Sequence, residues 1–458
     1  MKTVTKPFLQ VMLFIAAICI CSSCSGDDYV NAIPGNSNAL VSVDMKGLED
    51  TMGHGGADAI KSLFGTDNAD DCGIDFASKV FFFETTDGNM GCCAKVSSST
   101  GLADWLNGLA GKGICKKVTE RRDIQFTLLR GSWTVCFNDK ALLIMGPVLP
   151  AQQAEAVREM SRWLKQSEED GVKGTPVFDK LQGIESPVAI VAQVAAMPEK
   201  FVAPFTIGAP KGADASQLLI AASITFAEGG NLLISGEPFS FNAAIDKALK
   251  NGTKNFRPIG GKYADNLTDN TLCSLFMNVK GTELVKMMHD SAALGVLLAG
   301  MNTVIDMDNI LRSVDGDMVI GVNSYSESNM NMTMAAQLSN HDFLEDVDYW
   351  KKSCPAGSTI EDCGTNRFCF KNGETHFWFG VSEGNEFYGS TDRLVAASIL
   401  KPSASPLPSA VRDFIRRQRF CMVLNVGELM EQNKELGSVA DVLSPVFGNV
   451  NKVIYCIK

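Results

Sequence analysis

The stretch "ALVSVDMKGL", residues 39–48, decides how the chain is read. A short apolar run ends on Asp44, and Met45 and Leu48 then follow at helical spacing, so a strand passes directly into a helix. Three later stretches carry the same signature: "VAIVAQVAAM" (188–197), "LCSLFMNVKGTEL" (272–284) and "FCMVLNVGEL" (420–429). Their closing polar residues are Gln193, Asn278 and Asn425. Asp44 and Gln193 lie 149 residues apart, and Asn278 and Asn425 lie 147 apart. Near-equal intervals in successive blocks predict a duplicated unit.

The tryptophans give a second register. Trp105 and Trp350 are 245 residues apart, as are Trp133 and Trp378, whereas Asp44 and Asn278 are 234 apart. The drift places insertions in loops of the later copy. The mature chain therefore divides near residue 262, into halves 25–262 and 263–458, behind a leader at 1–24.

Within the first half, Asp87-Gly88 marks a hairpin between "KVFFFET" and "GCCAKVS". Ser99 or Thr100 is suited to cap a helix carrying Leu102, Trp105, Leu106 and Leu109. Strands follow around Ile124, Trp133 and Leu142. A long helix then starts at Pro150 with Ala156, Val157, Met160, Trp163 and Leu164 on one stripe. The second half repeats the plan through "MVIGVNS" (318–324), "MTMAAQL" (332–338) and "HFWFGV" (376–381). The fold class is α+β: two tandem, similar halves of mostly antiparallel sheet with helices packed on one face. The first half has an additional hairpin turning at Gly229-Gly230, and the final strand, "KVIYCIK" (452–458), is expected at a sheet edge.

At the N-terminus, Lys2 and Lys6 precede an apolar run from Phe8 to Ile20, then small polar residues. That layout is an export signal, since a spanning helix needs about 20 apolar residues. Ser22 and Ser23 precede Cys24, whereas bulky Ile18 and Ile20 precede Cys19 and Cys21, so Cys24 is the cleavage cysteine. The stretch resembles a lipobox, which implies a lipid-modified Cys24 anchored in the outer membrane. Cys21 stands three before that cysteine, where a lipobox usually has Leu. Ser25, Asp27 and Asp28 read either as an acidic surface-export tag or as a solvated linker, which leaves the cell-surface and periplasmic faces both open.

Of 458 residues, 45% are hydrophobic and 20% charged, which excludes a disordered chain. Without residues 1–24 the net charge falls from -11 to -13, as Lys2 and Lys6 leave. Such acidity disfavours nucleic acid and anionic lipid headgroups as partners. Eleven cysteines follow Cys24, an odd number. Cys92, Cys93, Cys136, Cys273, Cys421 and Cys456 read as small buried hydrophobes. Cys354 and Cys363 are the best-placed disulfide candidates. No C-x-x-C follows Cys24 and the four histidines are scattered, so neither a zinc site nor any cofactor is expected.

Further motifs are "YVNAIPGNSNALVSVDMKGL" (29–48), "CGIDFASKVFFF" (72–83) and "LRSVDGDMVIGV" (311–322). With these the chain resembles a family of Bacteroidota lipoproteins defined by domain of unknown function 4836. The resemblance implies an exported, lipid-anchored, duplicated α+β protein and assigns no activity.

No G-x-S-x-G, H-E-x-x-H or P-loop is present, and no catalytic residue is assigned. The acids around Asp67, Asp70, Asp71 and Asp75 lack the oxygen ligand and closing Glu of a calcium loop. His289 is followed by Asp290, but adjacent helical residues point about 100° apart, so Asp290 cannot orient the imidazole. Arg412, Arg416, Arg417 and Arg419 form a basic group that either complements a helix C-terminus or binds an anionic glycan or acidic partner. The function these features favour is a non-enzymatic binding or scaffold module, tethered to the membrane by its lipid and facing envelope proteins or glycans. The competing reading is an envelope hydrolase whose site assembles only in three dimensions.

Overall fold

The computed structural model describes residues 26–52, 72–121, 123–196, 206, 208–210, 212–227, 229–290, 305–325, 330–373, 375–432 and 450–457. The contacts divide the chain into two compact units. One contains the described residues up to Ser37 and from Cys72 to Asp179; the other contains Asn38–Met52 and everything from Lys180 onward. Residue 262 lies inside the second unit.

In chain order the strands are β1 (Ala39–Val43), β2 (Val80–Glu84), β3 (Met90–Lys95), β4 (Thr119–Arg121), β5 (Ile124–Leu129), β6 (Trp133–Phe137) and β7 (Ala141–Gly146). They continue with β8 (Val188–Gln193), β9 (Leu219–Ala227), β10 (Asn231–Phe239), β11 (Phe256–Arg257), β12 (Cys273–Lys280), β13 (Val314–Tyr325) and β14 (Met330–Leu338). The last are β15 (Ser358–Gly364), β16 (Arg367–Asn372), β17 (Thr375–Val381), β18 (Glu386–Ser390), β19 (Phe420–Asn425) and β20 (Lys452–Ile457).

In the first unit, the antiparallel order is β2–β3–β7–β6–β5–β4. The β2–β3 hairpin turns at Asp87-Gly88, where Gly88 has φ 77°, a conformation glycine adopts without steric cost. The helix Ser99–Gly111 is capped by Ser98, one residue before the expected cap, because its hydroxyl accepts from the Gly101 amide at 3.0 Å. Asn138 accepts from the Lys140 and Ala141 amides at 2.9 Å and donates to the Leu164 carbonyl at 3.0 Å. One amide thus shapes the β6–β7 turn and ties it to the end of the helix Gln153–Trp163.

The second unit is built on a longer sheet, ordered β1–β8–β9–β10–β20–β19–β12–β13–β14–β18–β17–β16–β15. β11 adds to the end of β12. The pairing of β10 with β20 is parallel and the others are antiparallel. β20 is therefore an interior strand, not the expected edge, because the unmatched hairpin β9–β10 supplies a neighbour on one side and β19 one on the other. The succession β2–β3–β7–β6–β5–β4 matches β13–β14–β18–β17–β16–β15 strand for strand, and β1–β8 matches β12–β19.

Helices pack on both faces of the longer sheet, which corrects the expectation of one covered face. Met277, Met318, Met334, Phe420, Met422 and Tyr455 pack with Val285 and Met288 of the helix Gly281–Asp290, Ile310 and Leu311 of Met307–Arg312, and Trp350 of Val347–Ser353. Their strand neighbours Phe276, Val319, Ala335, Cys421, Val423 and Ile454 pack with Val411 and Ile415 of the helix Ser409–Ile415. Successive residues of a strand point to opposite faces, so runs such as "FCMV" fill both cores at once.

Two glycines report opposite constraints. A Cβ on Gly281 would lie 1.8 Å from the Leu311 carbonyl oxygen, whereas nothing lies within 4 Å of one on exposed Gly108. Gly281→Ala is expected to destabilise by roughly 1–3 kcal/mol, and Gly108→Ala to stabilise by about 0.5–1 kcal/mol. Urea denaturation midpoints of the two variants check both signs.

Candidate functional site

A connected set of polar contacts in the second unit surrounds residues 256–269. Asp317 is 4% exposed on β13, directly opposite Asn278 on β12. Gly316, at φ 146°, interrupts the β13–β14 register and leaves room for the Gln337 side chain, whose Oε1 accepts from the Asp317 amide at 2.9 Å. The Asp317 carboxylate accepts from the Gly260 amide at 3.0 Å, the Lys262 amide at 2.8 Å and the Asn278 side-chain amide at 2.8 Å. A buried carboxylate is costly unless bonded this fully.

The same segment is held along its length. Tyr263 Oη donates to Glu386 Oε1 at 2.9 Å, and Lys262 Nζ stands 3.2 Å from that oxygen. Burial, and then the Glu386 carboxylate, push the Tyr263 phenol well above its ordinary range. The Asn266 side chain donates to the Ile399 carbonyl at 2.8 Å. At the far end, buried Lys452 pairs with Asp269 at 3.1 Å, and Asn425 donates to the Asp269 carbonyl at 2.9 Å.

Three of the four sequence-selected arginines serve this segment. Arg412 pairs with Asp265, and Arg416 lies 3.7 Å from the same carboxylate and 2.7 Å from Asp413. Arg419 donates to the Phe256 carbonyl at 2.6 Å. Arg417 differs: its side chain is exposed, while its amide donates to the Ile259 carbonyl at 3.0 Å. Arg412 and Arg416 thus share one acid instead of presenting a common open face. Their partners in 256–269 carried no sequence signal beyond a scatter of acids, because the pairing distance in sequence is large.

The other selected residues stay apart. Asp28 begins a 3-10 turn and pairs with Lys140 at 3.2 Å, both exposed; Asp27 precedes that turn. Cys24, Ser25, His54, Asp67, Asp70 and Asp71 lie outside the described residues. Asp75 faces Lys95 at 3.1 Å. Burial alone would raise its carboxyl, but hydrogen bonds from Lys95, Ser78 and the Ala77 amide outweigh it and hold it below its ordinary value.

His289 meets Asp308 at 2.6 Å, a partner nineteen positions on that its neighbour Asp290 masked in the sequence reading. His341 contacts Asn385 at 2.9 Å and His376 lies edge-on to Trp378. The three described histidines therefore have separate partners. Among the described residues, no group of three His, Cys, Asp or Glu side chains is arranged to hold a metal ion.

The cysteines need one correction. Cys354 and Cys363 are free, and among the described residues a disulfide joins Cys421 to Cys456. These two are directly opposed on β19 and β20 with Cα atoms 4.2 Å apart, whereas Cys354 ends a helix with its side chain against the core and Cys363 sits exposed on β15. Sequence distance selected the wrong pair because strand pairing, not loop length, sets thiol approach. Burial pushes the Cys92 and Cys136 thiols up to about 12 and Cys273 to about 11, as for inert core residues.

Asp317→Asn keeps the shape but turns an amide donor or a single oxygen toward three donors. A loss of roughly 2–3 kcal/mol in urea denaturation is expected, with Asp315→Asn, at an exposed ion pair, costing under about 1 kcal/mol.

No curated protein matches the chain. Solved structures similar to it include crystal form III of TP0453, at 10% identity and TM-score 0.24, covering 81% of this chain and 98% of that one. Crystal form IV of TP0453 gives 9% identity and TM-score 0.23 over 81% and 96% of the two chains. The model of a domain of unknown function, DUF4836, matches residues 44–403, and the chain belongs to that family.

Proposed function

We propose that this chain is an exported envelope lipoprotein, anchored in the outer membrane through Cys24 and acting as a non-enzymatic binding or scaffold module built from two tandem, similar halves. The observation that carries the architectural part is the recurring pairing succession, β2–β3–β7–β6–β5–β4 and β13–β14–β18–β17–β16–β15. Six strands in one pairing order, with equal sequence logic at Asp44, Gln193, Asn278 and Asn425, support descent of both from one unit. The anchor rests on the residues around Cys24. Its partners are envelope proteins or glycans, with Arg417, whose side chain is exposed, as the cation of the basic group that has no ion pair among the described residues.

The internal commitment of Arg412, Arg416 and Arg419 supports a stiff scaffold more than an anion pocket. The hydrolase reading draws on the His289–Asp308 contact. Against it, no hydroxyl or thiol is hydrogen-bonded to that imidazole among the described residues, where a nucleophile activated by it would sit.

Surface proteolysis of intact cells with mass spectrometry of the N-terminal peptide tests the main reading. An acylated Cys24 on a chain cut by external protease is expected for surface display, and acylation on a protected chain for the periplasmic face. An unmodified Cys24 would remove the anchor from the proposal. For the alternative, a fluorophosphonate probe is expected to leave the chain unlabelled; labelling that disappears in His289→Ala would favour the hydrolase.

A further inference from the structure

The Cys421–Cys456 bond joins β19 to β20 at a place where the chain supplies no turn. β20 lies between β10 and β19. Residues 240–451 separate it from β10, and residues 426–451 separate it from β19. Neither neighbour is tied to it through a short hairpin, and closing such long connections costs more entropy than closing a tight turn. One end of β20 has polar restraints instead. The Asn451 amide donates to the Gly230 carbonyl at 2.7 Å, and buried Lys452 pairs with Asp269 at 3.1 Å. Toward the other end stands Cys456, directly opposite Cys421, and both are fully buried.

A second strand pair supplies the contrast. β8 and β9 pair antiparallel as β19 and β20 do, and Ala189 stands four positions before Gln193 as Cys421 stands four before Asn425. Opposite Ala189 is Ser223, so this position holds no thiols. There β9 runs into β10 through the turn at Gly229-Gly230, which holds the strand locally. The covalent cross-link occurs at the pair whose second strand has no such turn.

We propose that the Cys421–Cys456 bond is a redox-sensitive latch on β20. Oxidised, it holds the strand in its slot; reduced, it lets the strand leave as a unit separate from the rest of the sheet. The slot then lies open between β10 and β19, whose other partners, β9 and β12, stay in place. Closure uses a small-molecule disulfide R–S–S–R. While β20 is out, one cysteine thiolate attacks the reagent, the S–S bond breaks, and RS⁻ leaves and takes up a proton. Insertion brings the second thiolate to the sulfur of that mixed disulfide, and a second RS⁻ is expelled and protonated. The two cysteines lose two protons and two electrons, and the reagent ends as two thiols.

Hydrogen-exchange mass spectrometry of the purified full chain tests the latch. The chain is reduced with dithiothreitol in urea and refolded with the reductant present. Amides of residues 452–457, and those of β10 and β19 that bond to them, are expected to exchange about a hundredfold faster than in the oxidised chain, as suits a bond spanning 35 positions. Those of β13 and β14 are expected to keep their rates, and oxidised glutathione to restore the slow exchange. The double variant Cys421→Ala with Cys456→Ala is expected to match the reduced chain. Equal acceleration throughout the longer sheet, a reduced chain that does not refold, or unchanged exchange at 452–457 would each overturn the proposal.

Discussion

The second unit depends on keeping one carboxylate buried and fully bonded. Asp317 gathers amides from residues 260 and 262 and from Asn278, so segment 256–269 must follow one path past β13. Loss of a donor would leave a carboxylate that is 4% exposed short of a partner, which makes this path strongly preferred. Asp265 and Asp269 extend the restraint to the helix Ser409–Ile415 and to β20. A stretch with little regular structure is thereby tied to several strands and helices.

That constraint works because the sheet between is solid on both faces. Methionine and phenylalanine are frequent among the aliphatic residues of one side, and smaller Val, Ala and Cys make up much of the other. Flexible methionines fill the uneven surface left by several short helices, while the smaller set lets Val411 and Ile415 approach closely. The Cys421–Cys456 bond sits inside this second core, fixing β19 against β20.

Much of the architecture was legible from residue pattern. Hairpin turns, helical stripes and the four strand-to-helix signatures correspond to observed elements, because each depends on neighbours within a few positions. Coverage of both sheet faces was legible too, in the near-continuous apolar runs of β12 and β19, although the helices were expected on a single face. The role of the arginines was not legible, since Arg412 meets Asp265 across 147 positions and nothing local marks the partner. The same holds for His289 and Asp308, and for Cys421 and Cys456: register created by tertiary pairing decides which side chains touch.

The interior position of β20 has a consequence for the order of folding. Its residues 452–457 complete the bridge between β10 and β19, more than 200 positions after the strand it joins in parallel. Until these residues insert, β10 and β19 each expose an unsatisfied row of amides and carbonyls, the edge to which another chain could add. The longer sheet therefore cannot close before residues 452–457 have inserted. That step waits for residues 452–457, a delay during which two open edges remain available to any binder of extended segments.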